Sequence, residues 1–143
     1  MKFKLFIDKE REEEVIVYAH EKSRIVSEIE SLIEDSASEL VGFNRGEAIR
    51  ISAGDVYSFV LEEGRLFAVA ENEKFLIKSR LYKVEEKLPQ NFVKINQSCI
   101  ANIKKIKKFD VTVSGTLKVV FKNGYTDYVS RRNIKKVKER LGL

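Results

Sequence analysis

With 143 residues, 43% hydrophobic and 34% charged, the chain has room for one compact domain and a small appendage. One proline, seven glycines and no low-complexity tract exclude a long flexible linker. Cys99 is the only cysteine, which excludes an intramolecular disulfide and suits a reducing compartment. No window is long and apolar enough for a membrane-spanning helix, and the run Met1 to Asp8 breaks too early for a signal peptide, so a soluble cytoplasmic protein is expected.

The net charge of +5 conceals a sharp division. From Gln90 onward thirteen basic residues stand against three acidic ones, a net of +10, so the preceding residues carry a net of −5. An acidic half joined to a strongly basic half is the footprint of a polyanion-binding surface, although lysines that merely solvate strand and helix faces give the same count.

Residues 1–46 read as a small α/β segment. Phe3, Leu5 and Ile7 alternate with more polar neighbours and suggest a first strand, and Val15 to Tyr18 suggests a second. Between Glu21 and Asp35 the apolar positions Ile25, Ile29, Leu32 and Ile33 recur at helical spacing, a stripe that belongs to a core more often than to a partner surface. Leu40 to Phe43 returns as a short strand before Asn44-Arg-Gly46 turns the chain. Dimerisation or a regulatory role is the functional alternative for this segment.

Residues 47–143 form the second unit. Val56 to Leu61 and Leu66 to Ala70 flank a turn in which Gly64 supplies positive φ, and Phe75 to Lys78 adds a strand. A short helix over Ser79 to Leu88 follows, with Ser79 as its cap, Leu81, Val84 and Leu88 as its stripe, and Pro89 as its stop. Asn91 to Ile95 alternates into a polar cluster, Asn96, Gln97 and Ser98, before an apolar run resumes at Cys99, so amide and hydroxyl groups stand at a loop tip. Lys104 to Phe109 reads as a sheet edge, and Asn123-Gly124 is the strongest type I′ hairpin signal in the chain. The chain ends in a helix with Ser130 as N-cap and Ile134, Val137 and Leu141 as its buried stripe. Arg131 and Arg132 fall in its first turn, where the macrodipole disfavours cations by about 0.3–1 kcal/mol each. Two arginines there suit a phosphate or a guanine edge. The regular spacing of short strands argues a mostly β fold, α+β overall, and no helix-turn-helix pattern is present.

The ordered set F-V-K-I-N-Q-S-x-I-x-N, K-I-K-K-F, K-N-G and V-S-R-R-N, spanning with its lead-in Ile49 to Leu141, resembles the LytTR DNA-binding domain of bacterial transcription regulators. The resemblance implies small antiparallel sheets bridged by a short helix, and DNA read through loops. It implies that Arg132 enters a major groove, that Gln97, flanked by Asn96 and Ser98, makes the other loop contact, and that the turn at Gly64 and Arg65 approaches DNA, with Arg65 as its reader. Arg131, Lys104, Lys105, Lys135 and Lys136 are the expected phosphate contacts, and Lys94 completes the expected DNA-binding set. Homodimers on direct-repeat promoter sites, and restraint by a membrane-protein inhibitor, are further implications of the resemblance. The first segment is too short for a phosphoacceptor receiver, so Asp8 reads as a turn residue. An RNA-binding module, or a protein-interaction adaptor on the same basic face, is the alternative.

No enzymatic constellation is present. His20 is the only histidine, and the carboxylate runs have no partner nucleophile or base, so no catalysis, metal or cofactor is expected.

Overall fold

The computed structural model describes residues 1–37 and 39–142. Helix α1 (Arg24–Ala37) precedes a β-rich body of ten strands: β1 (Glu39–Asn44), β2 (Glu47–Ser52), β3 (Ser58–Glu62), β4 (Arg65–Val69), β5 (Lys74–Ile77), β6 (Phe92–Asn96), β7 (Cys99–Asn102), β8 (Ile106–Val111), β9 (Leu117–Phe121) and β10 (Thr126–Val129). Helix α2 (Leu81–Lys87) links β5 to β6, and α3 (Ile134–Leu141) closes the chain. The strands form an antiparallel seven-stranded sheet, in the order β2-β1-β5-β4-β3-β7-β6, and an antiparallel three-stranded sheet, β10-β9-β8. The mostly β, α+β class and the small antiparallel sheets are as expected.

Two apolar cores follow from alternation along these strands. One packs Phe59, Ala68, Phe75, Phe92 and Ile100 against Leu81 and Val84 of α2, so the expected stripe of that helix is the inner one. The other packs Val93, Ile95, Cys99 and Ala101 against Val119, Phe121, Val129 and Val137, which fastens the small sheet and α3 onto β6 and β7. Fully burying each large side chain contributes about 1.5–3 kcal/mol, which is why β6 and β7, apolar toward both cores, form the spine. Cys99 is fully buried. Burial, then the Asp127 carboxylate beside it, pushes its thiol far above the ordinary range.

Several local expectations are corrected. Residues 1–20 have a turn at 9–11 and belong to no helix or strand, so neither expected strand forms. Their alternation is that of a strand, yet nothing among the described residues pairs with them. The stripe of α1 is only partly covered: Val15 and Val17 face Val26, Ile29 and Ile33, while Ile25 and Leu32 remain 55% and 68% exposed. Strand β1, from the first segment, is an interior strand of the large sheet, bonded to β2 and β5. Helix α2 begins at Leu81 with Arg80 as its N-cap, so Ser79 stands one position too early to cap it.

The Asn123-Gly124 turn is not type I′, since only Gly124 has positive φ (89°). The Asn123 side chain accepts from Tyr125 N–H (3.1 Å) and donates to the Ala70 carbonyl (3.3 Å), holding its own backbone out of the left-handed region. The type I′ geometry appears instead at Glu63-Gly64, where both φ values are positive (51° and 76°) and Glu62 lies opposite Arg65.

Asn102 is 1% exposed, and both polar atoms of its side chain are bonded: its amide nitrogen donates to Val56 C=O (2.8 Å), and its oxygen accepts from the Asn91 amide (2.8 Å) and Lys104 N–H (3.1 Å). Asn102→Ala should therefore leave buried groups unpaired and lower unfolding free energy by roughly 1–3 kcal/mol, read by denaturant titration. Cys99 should resist alkylation in the native protein at mildly alkaline pH and react fully once denaturant is added. The raised thiol pKa keeps the thiolate fraction small until well above neutrality, and mass spectrometry reads the difference.

Candidate nucleic-acid interface

The tip between β6 and β7 is built by a bulge and one saturated side chain. The register slips between Lys94 and Asn96, so Lys94 lies opposite Ile100 and Asn96 opposite Cys99, and the extra residue twists the tip away from the sheet. Asn96 then turns inward. Its amide nitrogen donates to Asp127 Oδ1 (3.0 Å) and to the Tyr128 carbonyl (2.8 Å), and its oxygen accepts from Ser98 N–H (2.8 Å). Both amide protons are used, so Asn96 ties the tip to β10, and the exposed side chains left at the apex are Gln97 and Ser98.

Backbone bonds bring the neighbouring segments to the same end of the sheet. Leu61 N–H donates to Ser98 C=O (2.8 Å), which sets the β3–β4 turn on one side of the tip. Ser130 N–H donates to Ile95 C=O (2.8 Å) on the other side, so Arg131 and Arg132 emerge beside Asn96 and Gln97. The two arginines occupy a 3-10 turn, Arg131–Asn133, ahead of α3, rather than the first turn of the α-helix. Ser130 does not cap the backbone, because its hydroxyl accepts from the Asn133 side chain (2.6 Å). Both arginines are exposed, and neither makes an ion pair with a described residue. Helix α3 runs back along β6, with Val137 buried and Arg140 donating to Gln90 C=O (2.6 Å), which leaves Lys135 and Lys136 exposed on its outer side.

Other expected contacts are placed less directly. Lys104 and Lys105 lie on a 3-10 turn at the far end of β7, about 13 Å along the strand from the tip. Lys105 Nζ stands 5.2 Å from the centre of the Tyr57 ring. Lys104 lies near α1: together with Lys22, whose ammonium bonds Glu30 at 2.8 Å and is the larger cause, it holds the Glu30 carboxyl below its usual range. Lys94 is half-buried on β6. Arg65 is exposed at the β3–β4 turn, but Glu62 and Glu63 share that turn and Lys74 bonds Glu62 at 3.0 Å, so the turn carries little net positive charge.

Sequence reasoning passed over Asp127 and Tyr128. Asp127 accepts from both Asn96 and Tyr128 N–H (2.8 Å), and one of only three acids in a basic half is the available signal for such a structural partner. Tyr125 and Tyr128 are 49% and 50% exposed beside the tip. Among the described residues no group of three histidine, cysteine, aspartate or glutamate side chains is placed to hold a metal, and no helix is long and apolar enough to cross a membrane.

The profile of the family described as the LytTr DNA-binding domain matches residues 46–142. Proteins named uncharacterized HTH-type transcriptional regulators from Staphylococcus aureus strains MSSA476 and NCTC 8325 / PS 47 are each 34% identical over 146 residues, covering 100% of this chain and 99% of the relative. No two helices of this chain are joined by a short turn among the described residues, since strands separate α1, α2 and α3, so the helix-turn-helix label of those relatives has no counterpart here. The LytTr DNA-binding domain of a Bacillus cereus protein superposes with a TM-score of 0.70 at 21% identity, covering 74% of this chain and 98% of that one, which establishes the shared fold. The chain belongs to the LytTR DNA-binding domain family.

Proposed function

We propose that this protein is a transcription regulator that reads duplex DNA in a sequence-specific way, through the β6–β7 tip and the arginine turn ahead of α3. The observation that carries the reading is the saturated Asn96 amide, which fixes the tip against β10 while Gln97, Ser98, Arg131 and Arg132 stand exposed at one end of the sheet. Rigid presentation matters because base readout needs donors and acceptors held in register with a groove edge.

The residues take distinct roles in this reading. Arg132 makes a bidentate contact with guanine O6 and N7, Gln97 pairs with an adenine edge, and Ser98 supports the same turn. Arg131, Lys135 and Lys136 hold phosphates, which position the protein without carrying sequence information. Asn96 is a positioning residue. Lys94, Lys104 and Lys105 supply longer-range positive potential, and Arg65 adds a backbone contact at a turn whose carboxylates limit its attraction. Two copies on direct-repeat promoter sites, and restraint by a membrane protein, belong to this reading through the family resemblance. A second reading, single-stranded RNA binding, has one observation behind it: the half-exposed Tyr125 and Tyr128 rings beside the tip offer stacking faces.

Selection of bound sequences from random duplex DNA, run beside a single-stranded RNA pool, tests the assignment. Enrichment of a duplex motif is expected, and enrichment only from the RNA pool would replace the first reading by the second. On the selected duplex, Arg132→Lys should lose about 1–3 kcal/mol and lose little on a scrambled one, whereas Arg131→Lys should lose little on either, because a phosphate accepts either cation. Lys135→Ala should weaken both duplexes alike and reduce the salt slope by about 0.9.

Asn96→Ala and Gln97→Ala separate positioning from reading. Loss of the Asn96 amide should weaken the selected duplex while leaving the ranking of bases unchanged. Loss of the Gln97 amide should relax the preference at one base pair. A repeated selection with each variant reads both outcomes.

A further inference from the structure

The segment ahead of the sheet carries an apolar surface that the rest of the chain leaves open. Among the described residues, eleven of the eighteen exposed large apolar side chains lie in residues 1–33, so the exposure is concentrated there rather than scattered as on an ordinary surface. Phe3, Leu5, Phe6 and Ile7 are 88%, 71%, 84% and 85% exposed. Residues 1–20 make no backbone–backbone hydrogen bond among the described residues and belong to no helix or strand. Unpaired backbone that carries exposed apolar side chains is open to strand addition by a second chain. The segment also lies within the full-length match to the Staphylococcus aureus relatives, ahead of the family match at residue 46.

The order of residues 2–8, Lys-Phe-Lys-Leu-Phe-Ile-Asp, is complementary to itself when reversed at every position but the Lys4–Phe6 pair. We infer that this stretch pairs antiparallel with the same stretch of a second copy, about a two-fold axis at Leu5, and that the N-terminal arm is the self-association surface of the protein. Leu5 then faces the partner's Leu5 once, on the axis, while Phe3 faces the partner's Ile7, Lys4 the partner's Phe6 and Lys2 the partner's Asp8, each of these three pairs occurring twice by symmetry. Apolar meets apolar on the odd-numbered face, and the two ends close with opposite charges. A slip of two residues in one direction sets Lys4 opposite the partner's Lys4. A slip in the other direction leaves Phe3 facing the partner's turn residue Lys9. The register centred on Leu5 avoids both. The turn that presents the stretch is held locally, since Asp8 Oδ1 accepts from Glu10 N–H at 3.0 Å. Behind it, Val15 and Val17 seat the arm on α1.

Sedimentation of the full-length protein without DNA, over a concentration series, tests the inference. The wild type should form a dimer, and Leu5→Asp, which opposes two carboxylates on the axis at an exposed position, should weaken self-association by at least about tenfold. Leu5→Cys should crosslink to itself under mild oxidation while Phe6→Cys does not, and the buried Cys99 should not compete. A monomeric wild type, an undisturbed Leu5→Asp dimer, or crosslinking at Phe6→Cys in place of Leu5→Cys would overturn it. So would a wild-type monomer that cosediments with anionic phospholipid vesicles, which would make a membrane surface the occupant. The result stands apart from the DNA reading: on a duplex with one half-site, Leu5→Asp should still discriminate through Arg132.

Discussion

The saturated Asn96 amide is the interaction on which the proposed reading surface depends. It sits where the two sheets meet at one end, and it joins the last residue of β6 to Asp127 and Tyr128 of β10 while shaping the turn that follows it. Hydrogen bonds of this kind contribute only about 0.5–1.5 kcal/mol each to stability. Their larger effect is geometric, because three bonds from one short side chain leave the tip a single arrangement relative to the arginine turn. Asp127 takes part twice, and the same carboxylate lies against the Cys99 thiol, so core and tip share one polar anchor.

The placement of charge follows from packing. Helix α3 is pinned at its buried face by Val137 and at its end by the bond from Arg140 to Gln90 C=O, which aims its beginning at the tip. Arg131 and Arg132 precede its first α-helical residue, so they escape part of the repulsion expected from the macrodipole and keep their guanidinium groups in solvent. Acids are frequent in α1 and in the N-terminal arm, whereas at this corner they are Asp127, which is bonded to Asn96, and the Glu62–Glu63 pair of the β3–β4 turn. A polyanion approaching the basic half would be oriented by that asymmetry before any base contact formed.

Much of this was legible in the sequence. The alternation of β6 and β7, the stripe of α2, the buried cysteine and the exposed arginine pair follow from period and charge, and the ordered motif set pointed to the family. What was not legible depends on contacts remote in sequence. Asn96 looked like a reader because an amide at a loop tip can face solvent or fold inward, and only the arrival of Asp127 and the Tyr128 carbonyl from β10 decides between them. Asn123-Gly124 carried the type I′ signature, yet the bond from its side chain to Ala70 fixed another turn. The apolar stripe of α1 had the spacing of a core helix, and nothing in its spacing says that the chain leaves much of it uncovered.

A structure of the protein bound to its selected duplex tests the central claim most directly. The account predicts Gln97 and Arg132 in one major groove, with the Asn96 amide still on Asp127 and the Tyr128 carbonyl as in the free protein. A duplex lying along Lys104 and Lys105 with the β6–β7 tip in solvent, or a tip that releases Asn96 to contact a base, would contradict it.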